Sequence, residues 1–168
     1  MVKQFLLYSF FLLLTTGLFA QSDSIKAPYL RFPTIPPFTL LKIDSSKLTR
    51  EDLSKNKKTL IMYFSPDCDH CKHQTDSMLA AINKFQDIQI LMATYQPIEE
   101  LRSFYKGYKI ANYQNIKIGR DSQFFFPPYY KIVNLPFMIL YNEKGKLITT
   151  FEGTTPINKI TEAFKING

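Results

Sequence analysis

The chain contains two cysteines, Cys68 and Cys71, within Ser65-Pro66-Asp67-Cys68-Asp69-His70-Cys71. Two thiols at this spacing fall on one face of a helix's first turn, close enough to form a disulfide. Cys68 is then expected at the helix N-terminus, where unpaired backbone N–H groups and the macrodipole favour a thiolate. Such a thiolate attacks a partner's disulfide, and Cys71 resolves the mixed species. An imidazolium at His70 favours the reduced state and makes the disulfide more oxidising, whereas Asp67 and Asp69 act in the opposite sense. The expected potential is intermediate, within about −270 to −120 mV.

The same residues admit other chemistry. Cys68, His70, Cys71 and His73 are soft metal ligands, but four side chains from one helix start do not converge on a tetrahedral centre without distortion. No resident metal is expected, and transient Cu(I) on the two thiolates leaves a copper chaperone as a rival. A non-catalytic binding module is a second rival, and an inert structural disulfide is the plainest alternative, although a two-residue loop constrains an unfolded chain little.

The dithiol needs a strand to end before it and a helix to begin at it. Thr59 to Phe64 is apolar enough for a buried strand, and Pro66 ends it. From Lys72 to Phe85, the residues Thr75, Met78, Leu79, Ile82 and Phe85 recur at helical spacing. Ile88 to Tyr95 reads as the next strand, parallel to the first through a right-handed crossover. Pro97-Ile98-Glu99-Glu100 opens a helix ending near Gly107, and Ile116 to Ile118 forms a short strand. Phe124 to Tyr130 is an aromatic loop or short helix, expected mainly in the core. Phe137 to Tyr141 and Leu147 to Phe151 form a hairpin turning at Gly145, and Pro156 to Ile166 a final helix. Before the dithiol, Phe38 to Ile43 is expected as an edge strand and Leu48 to Lys55 as a helical turn capped by Thr49.

With 168 residues, 45% of them hydrophobic and 15% aromatic, the chain has the material for one full core. Its formal charge of +7 is spread rather than gathered into a basic helix, which argues against nucleic acid and for a solvated basic surface. Peripheral contact with acidic headgroups or acidic partners is compatible with that surface. Residues 1–20 read as an export signal, with Lys3 as the positive start, an apolar centre and a cut after Ala20. Leu18 fits the small-residue rule poorly, so a retained membrane anchor is the competing outcome. No cysteine near the cut points to a lipid anchor. Residues 21–35, rich in proline, form an extended lead-in to a domain spanning residues 36–168.

The order of strand, Cys-x-x-Cys helix, strand, helix, x-Pro strand, hairpin and helix resembles the thioredoxin superfamily. Pro36-Pro37-Phe38-Thr39-Leu40, Tyr63-Phe64-Ser65-Pro66-Asp67-Cys68 and Leu135-Pro136-Phe137 are similar to the exported TlpA/ResA-like branch. The resemblance implies an α/β, three-layer fold: a central mixed sheet flanked by helices, with an N-terminal extension. It implies an exported, periplasmic thiol–disulfide oxidoreductase acting on protein thiols or disulfides and served by an upstream redox partner. No cofactor beyond the Cys68–Cys71 pair is implied. Cys68 takes the role of nucleophile and Cys71 that of resolving cysteine. Leu135 and a cis Pro136 form the substrate-facing loop. Three positions depart from the pattern of the superfamily or of the branch. Asp67 replaces an aromatic residue, Met62 a buried acid and Gln74 a glutamate, so neither familiar proton acceptor for Cys71 is present.

Overall fold

The two most apolar runs become neighbouring central strands, since a strand covered on both faces has no polar side to alternate. A computed structural model describes residues 26–166. Its strands are β1 (Thr39–Leu41), β2 (Lys47–Thr49), β3 (Lys58–Tyr63), β4 (Ile88–Thr94), β5 (Ile116–Arg120), β6 (Phe137–Tyr141) and β7 (Leu147–Glu152). The helices are α1 (Pro28–Arg31), α2 (Asp69–Ala80), α3 (Ile98–Gly107), α4 (Phe126–Tyr130) and α5 (Ile157–Ile166). The export signal expected at residues 1–20 lies outside the described residues, among which no helix is long and apolar enough to cross a membrane.

The strands form one mixed sheet in the order β2-β1-β5-β4-β3-β6-β7. β3, β4 and β5 run parallel, whereas β1 opposes β5 and β6 opposes β3. Strand periodicity divides the core in two. On one face Leu60, Met62, Ile90, Met92, Met138 and Leu140 pack with Met78 of α2, Leu101 and Phe104 of α3, and Ile160 and Phe164 of α5. On the other, Ile61, Tyr63, Leu91, Phe137, Ile139 and Tyr141 pack with Phe126 and Tyr130 of α4. The expected three-layer thioredoxin-like arrangement is therefore observed.

Four local expectations are corrected. β1 is not the edge: the chain turns at Asp44-Ser45-Ser46, with Asp44 Oδ1 accepting the Ser46 N–H at 2.9 Å, and returns as β2, which pairs outside β1. Leu48 therefore belongs to a strand. The helical turn shrinks to Arg50–Asp52, where Asp52 Oδ2 accepts the Thr49 N–H at 2.7 Å. The dithiol helix begins at Asp69 and stops at Ala80; Ala81 leaves helical geometry (φ −109°, ψ 24°), and a tighter turn over Ile82–Phe85 carries Phe85 into the core. The lead-in is not uniformly extended, because Pro28, suited to a first helical position, opens α1. The hairpin is as expected, with Gly145 at φ 69° in its turn.

Candidate active site

Parallel β3 delivers the dithiol to the sheet edge where β4 and β5 also end. Beyond Tyr63 the chain stays on the sheet for one more bond, Phe64 N–H to Ala93 O at 3.0 Å. It then turns through buried Ser65 and Pro66. The Cys68 N–H closes that turn on Ser65 O at 3.2 Å, and Cys68 O accepts the Lys72 N–H at 3.0 Å, the first bond of α2. Cys68 is the N-cap residue, in extended geometry (φ −76°, ψ 119°). Both cysteines are free thiols, Cys68 partly exposed and Cys71 buried.

The two cysteines lie close together, and their environments differ. Burial pushes the Cys71 thiol up to about 12, the nearby Cys68 adds to this, and a backbone hydrogen bond from Ser65 partly offsets both. Cys71 thus holds its proton at neutral pH. An acceptor must remove that proton before Cys71 attacks.

His70 and His73 are exposed on α2, as are Asp67 and Asp69 around Cys68; Asp69 pairs with Lys72 at 3.4 Å. Among the described residues no three of His, Cys, Asp and Glu are grouped to hold a metal ion. The Leu135–Pro136 bond is cis, as the resemblance implied. Pro136 is buried, its carbonyl accepting the Gly153 N–H at 2.8 Å, and Leu135 packs against the same cluster as Cys68.

Met62 is fully buried in the apolar cluster that contains Cys71. Gln74, also fully buried, spends its Oε1 on the Thr155 N–H at 2.7 Å, which ties α2 to the segment before α5, and its Nε2 has no partner. Neither position supplies a carboxylate to Cys71. Glu100, read in the sequence only as helix-start charge, lines a cavity of about 390 Å³ together with Pro66, Asp67 and Lys72, and its Oε2 is buried without a partner. Three larger cavities, two of about 530 Å³ and one of about 430 Å³, are lined by neither cysteine. The dithiol itself opens at an edge.

Two further residues escaped the sequence reading. Gln96 Nε2 donates to Ser65 Oγ at 3.2 Å, bracing the dithiol loop from β4. Asp121, 1% exposed, accepts the Phe125 and Phe126 N–H groups at 2.9 Å each and the Tyr63 hydroxyl at 3.4 Å. The aromatic stretch divides: Phe126 and Tyr130 are core as expected, while Phe124 is 52% exposed.

No curated protein matches the chain. Among solved structures it is similar to the exposed lipoprotein thioredoxin Etrx1 from Streptococcus pneumoniae, at 20% identity over 78% of this chain and 99% of that one, with a TM-score of 0.64. A secreted Mycobacterium tuberculosis disulfide oxidoreductase, described as homologous to E. coli DsbE, is 14% identical over 77% of this chain and 95% of its own (TM-score 0.61). A peroxiredoxin-like protein from Aquifex aeolicus is 12% identical, covering 79% and 84% (TM-score 0.62). These likenesses carry the fold, and the family follows from the sequence itself. The AhpC/TSA family model matches residues 33–162, most of the chain, so the protein belongs to the AhpC/TSA family and has its thioredoxin-like fold.

Proposed function

We propose that the protein is an exported thiol–disulfide oxidoreductase that exchanges disulfides with client proteins through Cys68 and Cys71. The observation that carries this reading is the pairing of a partly exposed Cys68 at a helix N-cap with a buried Cys71 in the first turn of the same helix. In the reducing direction the Cys68 sulfur attacks one sulfur of a client disulfide; a Cys68–client S–S bond forms and the other client sulfur leaves as thiolate. Cys71 then gives up its proton and attacks Cys68. The mixed disulfide breaks, the second client sulfur leaves, and two electrons have passed to the client. Oxidation of client thiols is the same sequence reversed. Either direction needs an upstream redox protein to reset the dithiol, and no other cofactor.

His70 favours the reduced state, and Leu135 with Pro136 shapes the client groove. Export, to the periplasm or outward, rests on the leader at residues 1–20; the secreted and lipoprotein descriptions of two similar structures agree with it. Retention of the leader as an anchor, or contact of the basic surface with acidic lipid, would hold the protein at a membrane. A peroxidase is the second reading, favoured by the family and by the Aquifex likeness. The N-cap dithiol favours disulfide exchange instead.

The test is the equilibrium potential of Cys68–Cys71 against a glutathione series, on the chain from Gln21. A value near −270 mV, roughly the thioredoxin end, makes it a reductant, and one near −120 mV, roughly the DsbA end, an oxidant. Rapid hydrogen peroxide turnover without client exchange would select the peroxidase. Failure to form the disulfide would overturn both, and stoichiometric Cu(I) uptake would then favour the chaperone.

A further inference from the structure

The edge that bears the dithiol also bears exposed aromatic surface. β3, β4 and β5 are parallel and end there, and antiparallel β6 begins there. Tyr95 follows β4 and is 41% exposed; Phe124 follows β5 and is 52% exposed. Their rings meet edge to face, with centroids 5.5 Å apart, and Tyr95 also stacks at 6.5 Å on buried Tyr63, the last residue of β3. Gln96 bonds Ser65 in the dithiol loop, and Arg120 Nε donates to Gln96 O at 2.9 Å. The aromatic pair is thus braced against the segment that carries Cys68.

Phe124 is held outward against its own backbone preference. Its φ of 52° is left-handed, unfavourable for a bulky side chain. The Phe124 N–H bonds Asp121 O at 3.2 Å, and the buried Asp121 carboxylate takes the next two N–H groups. That turn sends Phe126 into the core and leaves Phe124 at the surface. Exposed apolar surface kept in a strained conformation beside a reactive group marks a contact site.

We propose that Tyr95 and Phe124 form a docking platform for an apolar side chain of the client polypeptide, close in sequence to the client cysteine that reacts with Cys68. The proposal rests on the disulfide-exchange reading and names what that site prefers. Two strand spacings of about 4.8 Å separate β3 from β5, and an extended client rising about 3.3 Å per residue covers that span in three residues. The occupant is a client segment because Gln96, next to Tyr95, is hydrogen-bonded to Ser65 in the loop that carries the nucleophile, and exchange brings a client polypeptide to that loop. Two rings match one side chain and fall far short of a stable dimer interface. Asp67 and Asp69, both exposed near Cys68, oppose an anionic lipid surface.

The test uses two single-cysteine peptides as mixed disulfides with glutathione, with Phe or Ser two and three residues from the cysteine on either side. Reduced full chain should reduce the Phe peptide about tenfold faster than the Ser peptide, the effect of one well-packed aromatic contact. In Tyr95→Ser/Phe124→Gly that ratio should fall to about one. Gly relieves the positive φ, so loss of folding is not expected from Phe124→Gly. A ratio near one in the unmodified chain, or an undiminished ratio in the double variant, overturns the platform. So does a dimer in sedimentation that the double variant abolishes, because a second copy would then occupy it. Reduction of glutathione disulfide by the unmodified chain keeps the two claims apart: exchange with a ratio of one removes the platform alone, and absence of exchange removes the disulfide-exchange reading with it.

Discussion

Cys71 is the residue whose surroundings set the chemistry most directly, since burial holds its thiol up to about 12. The potential of a two-electron couple falls about 30 mV per pH unit for each proton that the reduced state retains. Cys71 retains its proton, so potentiometry of the intact chain should still show a fall of about 30 mV per unit between pH 10 and 11. A dithiol with both groups in water would by then be nearly flat, and a flat curve here would refute the buried thiol. The linkage has a definite sign: the folded value lies above the unfolded one, so Cys71 stabilises the reduced chain below about pH 9 and that contribution drains away towards pH 12. His70 is exposed on the same first turn, and on the disulfide-exchange reading a positive charge there would favour the reduced state. His70→Asn should therefore make the potential more negative, by about 30 mV or less, in the same glutathione equilibrium; an unchanged value would leave His70 a surface residue. The place of Cys68, His70 and Cys71 at the start of α2 was legible from residue type and spacing, and the cis Pro136 from the family resemblance. Asp121, Gln96 and Glu100 were not, because a single polar residue at a strand end or helix start shows no pattern until the topology buries it.

At the scale of elements, the site depends on loops joined across the ends of parallel strands. Asp121 is the main fastening of this kind: one carboxylate caps the turn before α4 through two N–H groups and receives the hydroxyl of Tyr63 at the end of β3. Asp121→Ala leaves those amides unpaired in a buried place. The expected loss is about 2–4 kcal/mol, measured as a lower urea midpoint with unchanged slope. A midpoint within about 0.5 kcal/mol of the parent would show the turn to be held by packing instead. The central strands could be read from the sequence because β3 and β4 are apolar on both faces, and α3 because Pro97 and two glutamates mark its start. Less was legible at the sheet margin. Lys47–Thr49 is three residues long, with one buried side chain, Leu48, and its strand character comes from pairing with β1 rather than from its own pattern. The length of α2 was overstated for a related reason: Ile82 and Phe85 continue the helical spacing, and a tighter turn places Phe85 in the core just as a longer helix would.

At the scale of the whole molecule, the sheet has a reactive edge and a fastened one. Leu135-Pro136 precedes β6 at the dithiol edge, and the Gly145 turn follows β6 at the opposite end. The lead-in is attached at that opposite end: Thr34 bridges Lys146, the Ile35 N–H bonds Gly145 O at 3.1 Å, and Pro33 O accepts the Leu147 N–H at 2.8 Å. Ala27 is buried, Tyr29 packs on Tyr130 of α4 at 5.5 Å, and the Tyr129 hydroxyl bonds Phe32 O at 3.3 Å. The sequence marked residues 21–35 as a lead-in because of their prolines, but gave no sign that these residues cover a hairpin turn and a short helix. Their contacts make them part of the domain's stability: Pro33 to Ile35 hold the Gly145 turn, while Ala27 and Tyr29 line a cavity with Phe137, the residue after Pro136. Starting the chain at Phe38 removes three hydrogen bonds, each worth about 1 kcal/mol, together with the burial around Ala27 and Tyr29. Relative to a chain starting at Lys26, the shortened protein should lose about 3–5 kcal/mol in urea unfolding, yet exchange with glutathione disulfide at the same rate per folded molecule. Equal stability would make the lead-in a dispensable tail, and a slower exchange in the folded fraction would show that the fastened edge is coupled to the reactive one.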